Sequence, residues 1–402
     1  MSEDDTTTTE APTRREVIEG GGAVIGGGLL AGCAGQSGPS GGANDSNGSN
    51  SNTTTGGGNG SYSVTMAPMG EITFESVPTD WFAFGSTEVD MGFALGELDG
   101  LVGATYPLDG LYTSFYEELP GVSFDPKTRI SGIYNESDEI SKEAFYEADA
   151  DVHLIDSNYL NARSSWDQSD SSEIAKSVAP FFGNYGRRPE AWHDYEYYTL
   201  YEHFEKYAQL FKKPERCTPL KEIHDRLITD VRAELPPESE RPSVGYVGIY
   251  PPTVYLVNPL NRGYEDKQYR DLDVTDSFAA RYSADTIEGE TDSETLLEVD
   301  PDVLIEANGL GLYESVEQYE SEVLAPLKDD PVASEVTAIV NDRIYLGGNF
   351  DQGPILNLFQ TEMLAKQLYP AAFGEWRGIG ETPEEEQLFD RKRVADIING
   401  DI

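Results

Sequence analysis

The sequence predicts an α/β protein built as two similar lobes joined by one long α-helix, and three observations carry that prediction. First, the apolar run Trp81-Phe82-Ala83-Phe84 breaks at Gly85-Ser86-Thr87. It is followed by a helical pattern from Glu88 to a glycine stop at Gly96, and then by the strand-like Leu101-Val102-Gly103-Ala104-Thr105. Strand, helix and strand with tight connections make the unit of a parallel sheet. Second, the ten residues from Glu143 to Val152 align without gaps on those from Glu294 to Val303, and each copy runs into an apolar strand, His153-Leu154-Ile155 or Leu304-Ile305. A repeat that occurs once in each half, at so long a period, implies two lobes rather than a solenoid. Third, a helical stretch from Tyr195 to Leu235, interrupted near Lys213-Pro214, separates the halves; its later part spaces Leu220, Ile223, Leu227, Ile228 and Val231 at helical intervals.

Read from the start, the chain opens with residues 1–33, where Thr13-Arg14-Arg15-Glu16-Val17-Ile18 precedes a weakly apolar, Gly-rich stretch and the box Leu30-Ala31-Gly32-Cys33. This resembles a twin-arginine export signal ending in a lipobox, in which the export machinery reads Arg14 and Arg15 and Cys33 becomes lipidated. A membrane span is the poorer reading, because a span needs about 20 apolar residues and Gly20, Gly21, Gly22, Gly26, Gly27 and Gly28 break this stretch. Residues 34–62 are almost wholly Gly, Ser, Asn and Thr, the composition of a disordered tether, and contain three matches to the N-glycosylation pattern, at Asn47, Asn52 and Asn59. The first lobe is then expected over 63–194, the helical connection over 195–236, and the second lobe over 237–402, opening with the strand Val244 to Tyr250. Each lobe is long enough for its own core.

Composition narrows the partners. With 73 acidic against 28 basic side chains the formal charge is -45, so nucleic acid is excluded as a partner, since phosphate neutralisation needs cations. Acid spread evenly along the folded part fits a halophilic, archaeal-type surface that stays solvated in salt. An acidic patch for a cationic partner is the alternative, but no single run concentrates the charge. Of the two cysteines, Cys217 has no partner once Cys33 is lipidated, so neither a disulfide framework nor a cysteine metal site can form.

Taken together, Leu101-Val102-Gly103 after the Ala94-Leu95-Gly96 helix end, the Asp300-Pro301-Asp302 corner, and the tail from Ala338-Ile339-Val340-Asn341-Asp342-Arg343 to Leu368-Tyr369-Pro370 resemble the class III solute-binding proteins of ABC importers. These bind iron-siderophores, haem or cobalamin in a cleft between two Rossmann-like lobes joined by one long helix. The resemblance implies an extracellular, lipid-anchored monomer that hands its ligand to a membrane permease. It further implies permease docking through one glutamate on each lobe, which maps to Glu143 and Glu294. Ordinary helix N-terminal glutamates are the alternative. The first copy of the repeat carries Ala150 where the family usually has proline.

Ligands of open α/β sheets bind beyond the carboxyl ends of strands. The loops there offer Tyr106, Asn158, Tyr159, Arg163 and Trp166 in the first lobe, and Tyr250, Arg262, Tyr264, Asn308, Asn349 and Phe350 in the second. A guanidinium pairs with chelate oxygens, and Tyr or Trp adds flat contact area. A ferric chelate is thus the expected ligand, with no cofactor of the protein's own. The four histidines are scattered, and His153 reads as a core imidazole, so a zinc site is not expected. Bare ferric iron held by the Tyr195, Tyr197, Tyr198 and Tyr201 group stays open as the lesser reading. No motif for nucleophilic or acid/base catalysis stands out, so the chain is not expected to be an enzyme. A cofactor-handling enzyme, or a sensory or adhesive surface lipoprotein on the same scaffold, remains the alternative.

Overall fold

The computed structural model describes residues 60–402 except 134–138, 252, 261 and 282–287. The export and lipidation residues Arg14, Arg15 and Cys33, and the Gly/Ser/Asn/Thr tether, lie outside the described residues.

An antiparallel hairpin precedes the first lobe, β1 (Tyr62–Met66) pairing with β2 (Gly70–Phe74). Its alternation buries Val64, Met66 and Phe74 while the residues between face water, the pattern of a sheet with one wet face. The first lobe is a parallel sheet in the order β5 (Ile130–Ser131), β4 (Leu101–Ala104), β3 (Trp81–Ala83), β6 (Val152–Leu154), extended by a parallel bridge from His153 to Phe181. Every residue of β3, β4 and β6 is buried, as expected where helices cover both faces.

The second lobe centres on β7 (Ser243–Tyr250) and β11 (Val303–Glu306), parallel to each other and to β12 (Ile344–Leu346), with the two-residue β9 (Thr275–Asp276) beside the start of β7. Its other edge is antiparallel: β8 (Thr253–Val257) turns back on β7, and β10 (Glu288–Thr291) adds to β8. Only two residues separate β7 from β8, too few for a crossover, so a hairpin is the only connection available. The loop after Tyr250, expected to face the cleft, is therefore a hairpin turn: Tyr250 pairs with Thr253 and its ring packs on Tyr255 at 5.7 Å.

The helical connection forms as two helices, Leu200–Leu210 and Pro214–Glu234, broken at the expected place. The second spans 21 residues, roughly 31 Å. Leu220, Leu227 and Val231 are buried along it.

The repeat folds identically in both lobes. The helices Lys142–Ala148 and Ser293–Val299 each end on an aspartate in the left-handed region, Asp149 at φ 47° and Asp300 at φ 49°. Two residues on, Asp151 accepts from the backbone N–H groups of Thr79 and Asp80 at 2.8 and 3.1 Å, and Asp302 accepts from the N–H of Ser243 at 2.8 Å. Each aspartate thus ties the repeat's corner to the chain entering the neighbouring central strand.

The expectation of a separate core for each lobe is corrected. One continuous apolar cluster takes in Trp81, Leu101 and Val152 of the first sheet, Val244, Tyr246 and Ile305 of the second, and the helices between them, with a smaller satellite cluster in each lobe. The reason is the helix Pro354–Leu368, which is buried at all 15 positions. Several of its polar members are paired inside: Asn357 bonds His224 and Gln352, Gln360 Nε2 donates to the Asn349 carbonyl, and Glu362 pairs with Arg391, while Gln360 Oε1 and Thr361 Oγ1 are buried without a partner. A helix buried all round has no face to give to solvent, so it fuses the two lobes' interiors.

Candidate functional site

The strand ends of both sheets converge on one cavity. From the first lobe, Phe84, Thr87 and Glu88 follow β3, Asp156 and Tyr159 follow β6, and Asn184, Tyr185 and Arg187 follow Phe181. From the second lobe come Tyr264, on the loop after β8, and Asp351, beyond β12. The cavity measures about 10 Å³, the room of a single water. The lobes are closed on each other.

Closure is held by named bonds. Arg187 places Nε 2.8 Å from Glu265 Oε2 and Nη1 2.6 Å from Asp351 Oδ1, and its guanidinium lies 5.5 Å from the Phe350 ring centre. The backbones of the two lobes also meet, with Tyr264 N–H on the Gly186 carbonyl at 3.3 Å and Glu265 N–H on the Arg187 carbonyl at 3.1 Å. Gly263 permits this approach: at φ 118° it would, with a Cβ, come within 2.1 Å of the Arg187 carbonyl oxygen. Ser86 Oγ donates to the Asp351 carbonyl at 2.7 Å, and Asn349 Nδ2 donates to Ser86 Oγ at 2.9 Å.

Burial sets the electrostatics. The carboxyl group of Glu88, 5% exposed, is pushed up to about 8 by desolvation, with Asp351 adding to the rise and the Gly85 N–H and Arg187 opposing it. Desolvation also raises Asp156, against bonds from the Tyr195 hydroxyl, the Tyr185 N–H and Asn158. The phenols of Tyr185 and Tyr264 are raised above their usual value, first by burial. At neutral pH the cavity therefore presents neutral phenols, a protonated Glu88, and an arginine whose charge is already matched by two carboxylates.

Of the eleven expected contact residues, the structure brings Tyr159 and Tyr264 to the cavity wall. Tyr106 stands behind, its hydroxyl 2.8 Å from that of Tyr159 and its ring edge-on to Phe84. Asn158 bonds Asp156 at the start of the Ser157–Arg163 helix. Asn349 and Phe350 support Ser86 and Arg187 respectively, and Asn308 accepts from the Phe350 N–H at 2.9 Å. Arg163 and Arg262 are exposed: the first pairs with Glu190 at 2.6 Å, the second lies over Tyr197 at 5.1 Å. Trp166 is a core residue, 5% exposed, with Nε1 on the Ile140 carbonyl and its ring 5.3 Å from Phe145. Its large apolar surface goes to the satellite core of the first lobe.

Sequence reading missed Glu88, Asp156, Asn184, Tyr185, Arg187 and Asp351. One signal was present: Arg187-Arg188 is a basic pair that follows the apolar run Phe181-Phe182 after the short loop Gly183-Asn184-Tyr185-Gly186, in a chain with few bases. The tyrosines weighed as iron ligands diverge. Tyr195 bonds Asp156, Tyr198 accepts from the Ala67 N–H, and the buried Tyr201 donates to the Leu220 carbonyl. Among the described residues no group of three or more His, Cys, Asp or Glu is arranged to hold a metal ion. His153 is buried among Phe82, Phe145 and Phe181, and burial lowers its imidazole to about 3. Glu143 and Glu294 are both exposed, each at the second position of its helix.

No family model matches the chain, and no curated protein matches it by sequence. Solved structures do. A periplasmic binding protein from Veillonella parvula superposes with a TM-score of 0.54 at 12% identity, over 76% of this chain and 97% of that one. The iron-uptake ABC-transporter substrate-binding protein PiuA of Streptococcus pneumoniae gives 0.52 at 15% identity, over 77% and 98%. A siderophore periplasmic binding protein from the fuscachelin gene cluster of Thermobifida fusca gives 0.50 at 15%, over 73% and 96%. The likeness extends over both lobes and nearly the full length of each neighbour, and the chain thus has the two-lobe α/β fold of the periplasmic solute-binding proteins.

Proposed function

We propose that the protein is the solute-binding component of an ABC importer, capturing a ferric chelate between its lobes and delivering it to a membrane permease. The observation that carries this reading is the single cavity at the strand ends of both lobes, walled by tyrosines and bridged by Arg187. Chelate-sized ligands need several hundred Å³. Entry therefore parts the lobes at the Arg187 ion pairs, and a ligand that contacts both lobes restores closure. The role is binding without chemistry, in keeping with neighbours whose names describe binding proteins.

The charge of the wall selects among chelates. Glu265 and Asp351 both pair with Arg187, so the one arginine lining the cavity is already committed and is not free for a multiply charged anion. A neutral ferric trihydroxamate suits such a wall better than a tris-catecholate trianion. Tyr159, Tyr185, Tyr264 and Arg187 are the proposed contacts. Export by the twin-arginine route, anchoring through Cys33, docking through Glu143 and Glu294, and a monomeric state complete the reading.

Titration of the purified protein with ferric trihydroxamate, ferric tris-catecholate, haem and cobalamin, followed by intrinsic fluorescence, tests it. Saturable quenching by a ferric chelate at micromolar concentration or below is the expected result. Quenching by none of the four would overturn the proposal.

A further inference from the structure

A second recess, of about 850 Å³, shares no residue with the cleft. The bridging helix Pro214–Glu234 contributes Ile223, Arg226 and Leu227, and the remaining wall comes largely from residues 384–393, which run into the Arg391–Asn399 helix. Leu388 and Phe389 join Ile223 and Leu227 as its apolar part.

Most of its charged groups are already committed. Arg391, 5% exposed, is fixed between Glu362 at 2.9 Å and Glu118 at 3.0 Å and lies over the rings of Phe359 and Phe389. Lys392 pairs with Asp396 at 2.7 Å, and the Asp390 carboxylate accepts the Arg393 N–H at 2.8 Å as a helix cap. What remains is the pair of guanidinium groups of Arg226 and Arg393, which among the described residues have no carboxylate, carbonyl or ring partner. Glu384 is the one carboxylate lining the recess that is likewise uncommitted. In a chain with 73 acidic and 28 basic side chains, an arginine outside any ion pair is a cation in short supply. Here two of them, from separate helices, border one recess of ligand size beside an apolar wall.

We propose that this recess is a second binding site, for a phosphate group carried on an apolar body. Two guanidinium forks can each meet phosphate oxygens in bidentate fashion, and the Ile223, Leu227, Leu388 and Phe389 wall takes the apolar part. The same chemistry is found in a free phosphate ester and in a phospholipid headgroup.

Calorimetric titration of the intact protein with octyl phosphate and with inorganic phosphate tests the site, in the wild type and in R226Q, R393Q and the double variant. Octyl phosphate is expected to bind more tightly than inorganic phosphate and to lose about tenfold or more in affinity in the double variant, with chelate binding at the cleft unchanged. Recruitment to vesicles with and without phosphatidylglycerol then separates the sources. A preference for the anionic vesicles that disappears in the double variant identifies a lipid headgroup, and its absence identifies the free ester. No heat with octyl phosphate, or equal affinity in the double variant, would overturn the site.

Discussion

Nη1 of Arg187 lies 2.6 Å from Oδ1 of Asp351, and the same guanidinium reaches Glu265, whose side chain is 2% exposed. One arginine of the first lobe is thus held by two carboxylates of the second. Removing it takes the arginine away from two poorly solvated carboxylates, which is much worse than losing an exposed salt bridge. Arg187→Ala is expected to cost roughly 3 kcal/mol of folding stability and to weaken chelate binding. Arg187→Lys should recover part of the stability and little of the binding, since an ammonium cannot serve both carboxylates through a fork. Denaturant melts and chelate titrations of both variants check this; an Arg187→Ala protein with unchanged melt and affinity contradicts the latch.

A second bond between the lobes is buried entirely. Asp90 caps the Pro354–Leu368 helix from across the interface, accepting from the N–H groups of Ile355 at 2.9 Å and Leu356 at 3.3 Å and from the Tyr116 hydroxyl at 2.8 Å. Asp90→Ala strands these donors in a fully buried site and is expected to cost about 2–4 kcal/mol in urea melts. A loss below about 0.5 kcal/mol would show that the cap contributes nothing.

Burial pushes the Asp90 carboxyl up to about 7 and that of Glu88 up to about 8, in each case against the hydrogen bonds that favour the charge. Both values are raised relative to the unfolded chain, so their contribution to stability is complete in acid and is lost as pH rises. Between the ordinary carboxyl range near 4 and these raised values, the unfolded chain has released protons that the folded chain retains. Stability should therefore fall with pH across that window, by about 1.4 kcal/mol per pH unit for each such group, and level off above it. Glu88→Gln mimics the protonated acid and keeps an acceptor for the Gly85 N–H. Its melting temperature is expected to match the wild type near pH 4 and exceed it near pH 8; a gap that does not grow with pH counts against the assignment.

The matched aspartates of the repeat give a paired test. Asp151→Ala and Asp302→Ala each remove an acceptor from backbone donors at the entry to a central strand, Thr79 and Asp80 in one lobe and Ser243 in the other. Each should cost about 1 kcal/mol, and the double variant about the sum, since the sites share no partner. Partial burial alone would raise Asp151, but the bonds from Thr79 and Asp80 prevail and hold its carboxyl below the usual range. Its contribution is present above the ordinary aspartate range and is lost as pH falls through the lowered value, the opposite of Asp90. Equal stability of Asp151→Ala and wild type at neutral pH would refute the role.

Glu143 and Glu294 are exposed, and Glu294 makes no side-chain bond among the described residues, while Glu143 accepts only from the nearby Ser141 hydroxyl at 3.1 Å. Glu143→Lys with Glu294→Lys should leave stability within about 0.5 kcal/mol and ligand affinity unchanged. Uptake of labelled chelate by cells is expected to fall at least tenfold if the pair docks on a basic permease surface. Normal uptake would sink the docking assignment.

Much of the architecture was legible because it is written in local periodicity. The Trp81 to Thr105 unit, the break between the two connecting helices, and the repeat with its left-handed aspartates depend on neighbours within a few turns, so apolar spacing and corner residues reveal them. The exposure of Glu143 and Glu294 follows for the same reason. The cavity was only partly legible. Strand-end logic reached Tyr159 and Tyr264, whereas Trp166 sits at an equally plausible loop position and was drawn into the core by packing that no local pattern encodes. Arg187, Asp351 and Glu88 acquire their meaning from one another, across 164 residues in the case of the ion pair, and a charged residue's partner cannot be read from its own neighbourhood. By itself, then, the sequence determined two α/β lobes, their order and the bridging helix, since hydrophobic period and turn chemistry act locally. Only the tertiary structure decided that the lobes share one core through Pro354–Leu368 and close on Arg187, because burial from all sides and charge pairing arise only when distant segments meet.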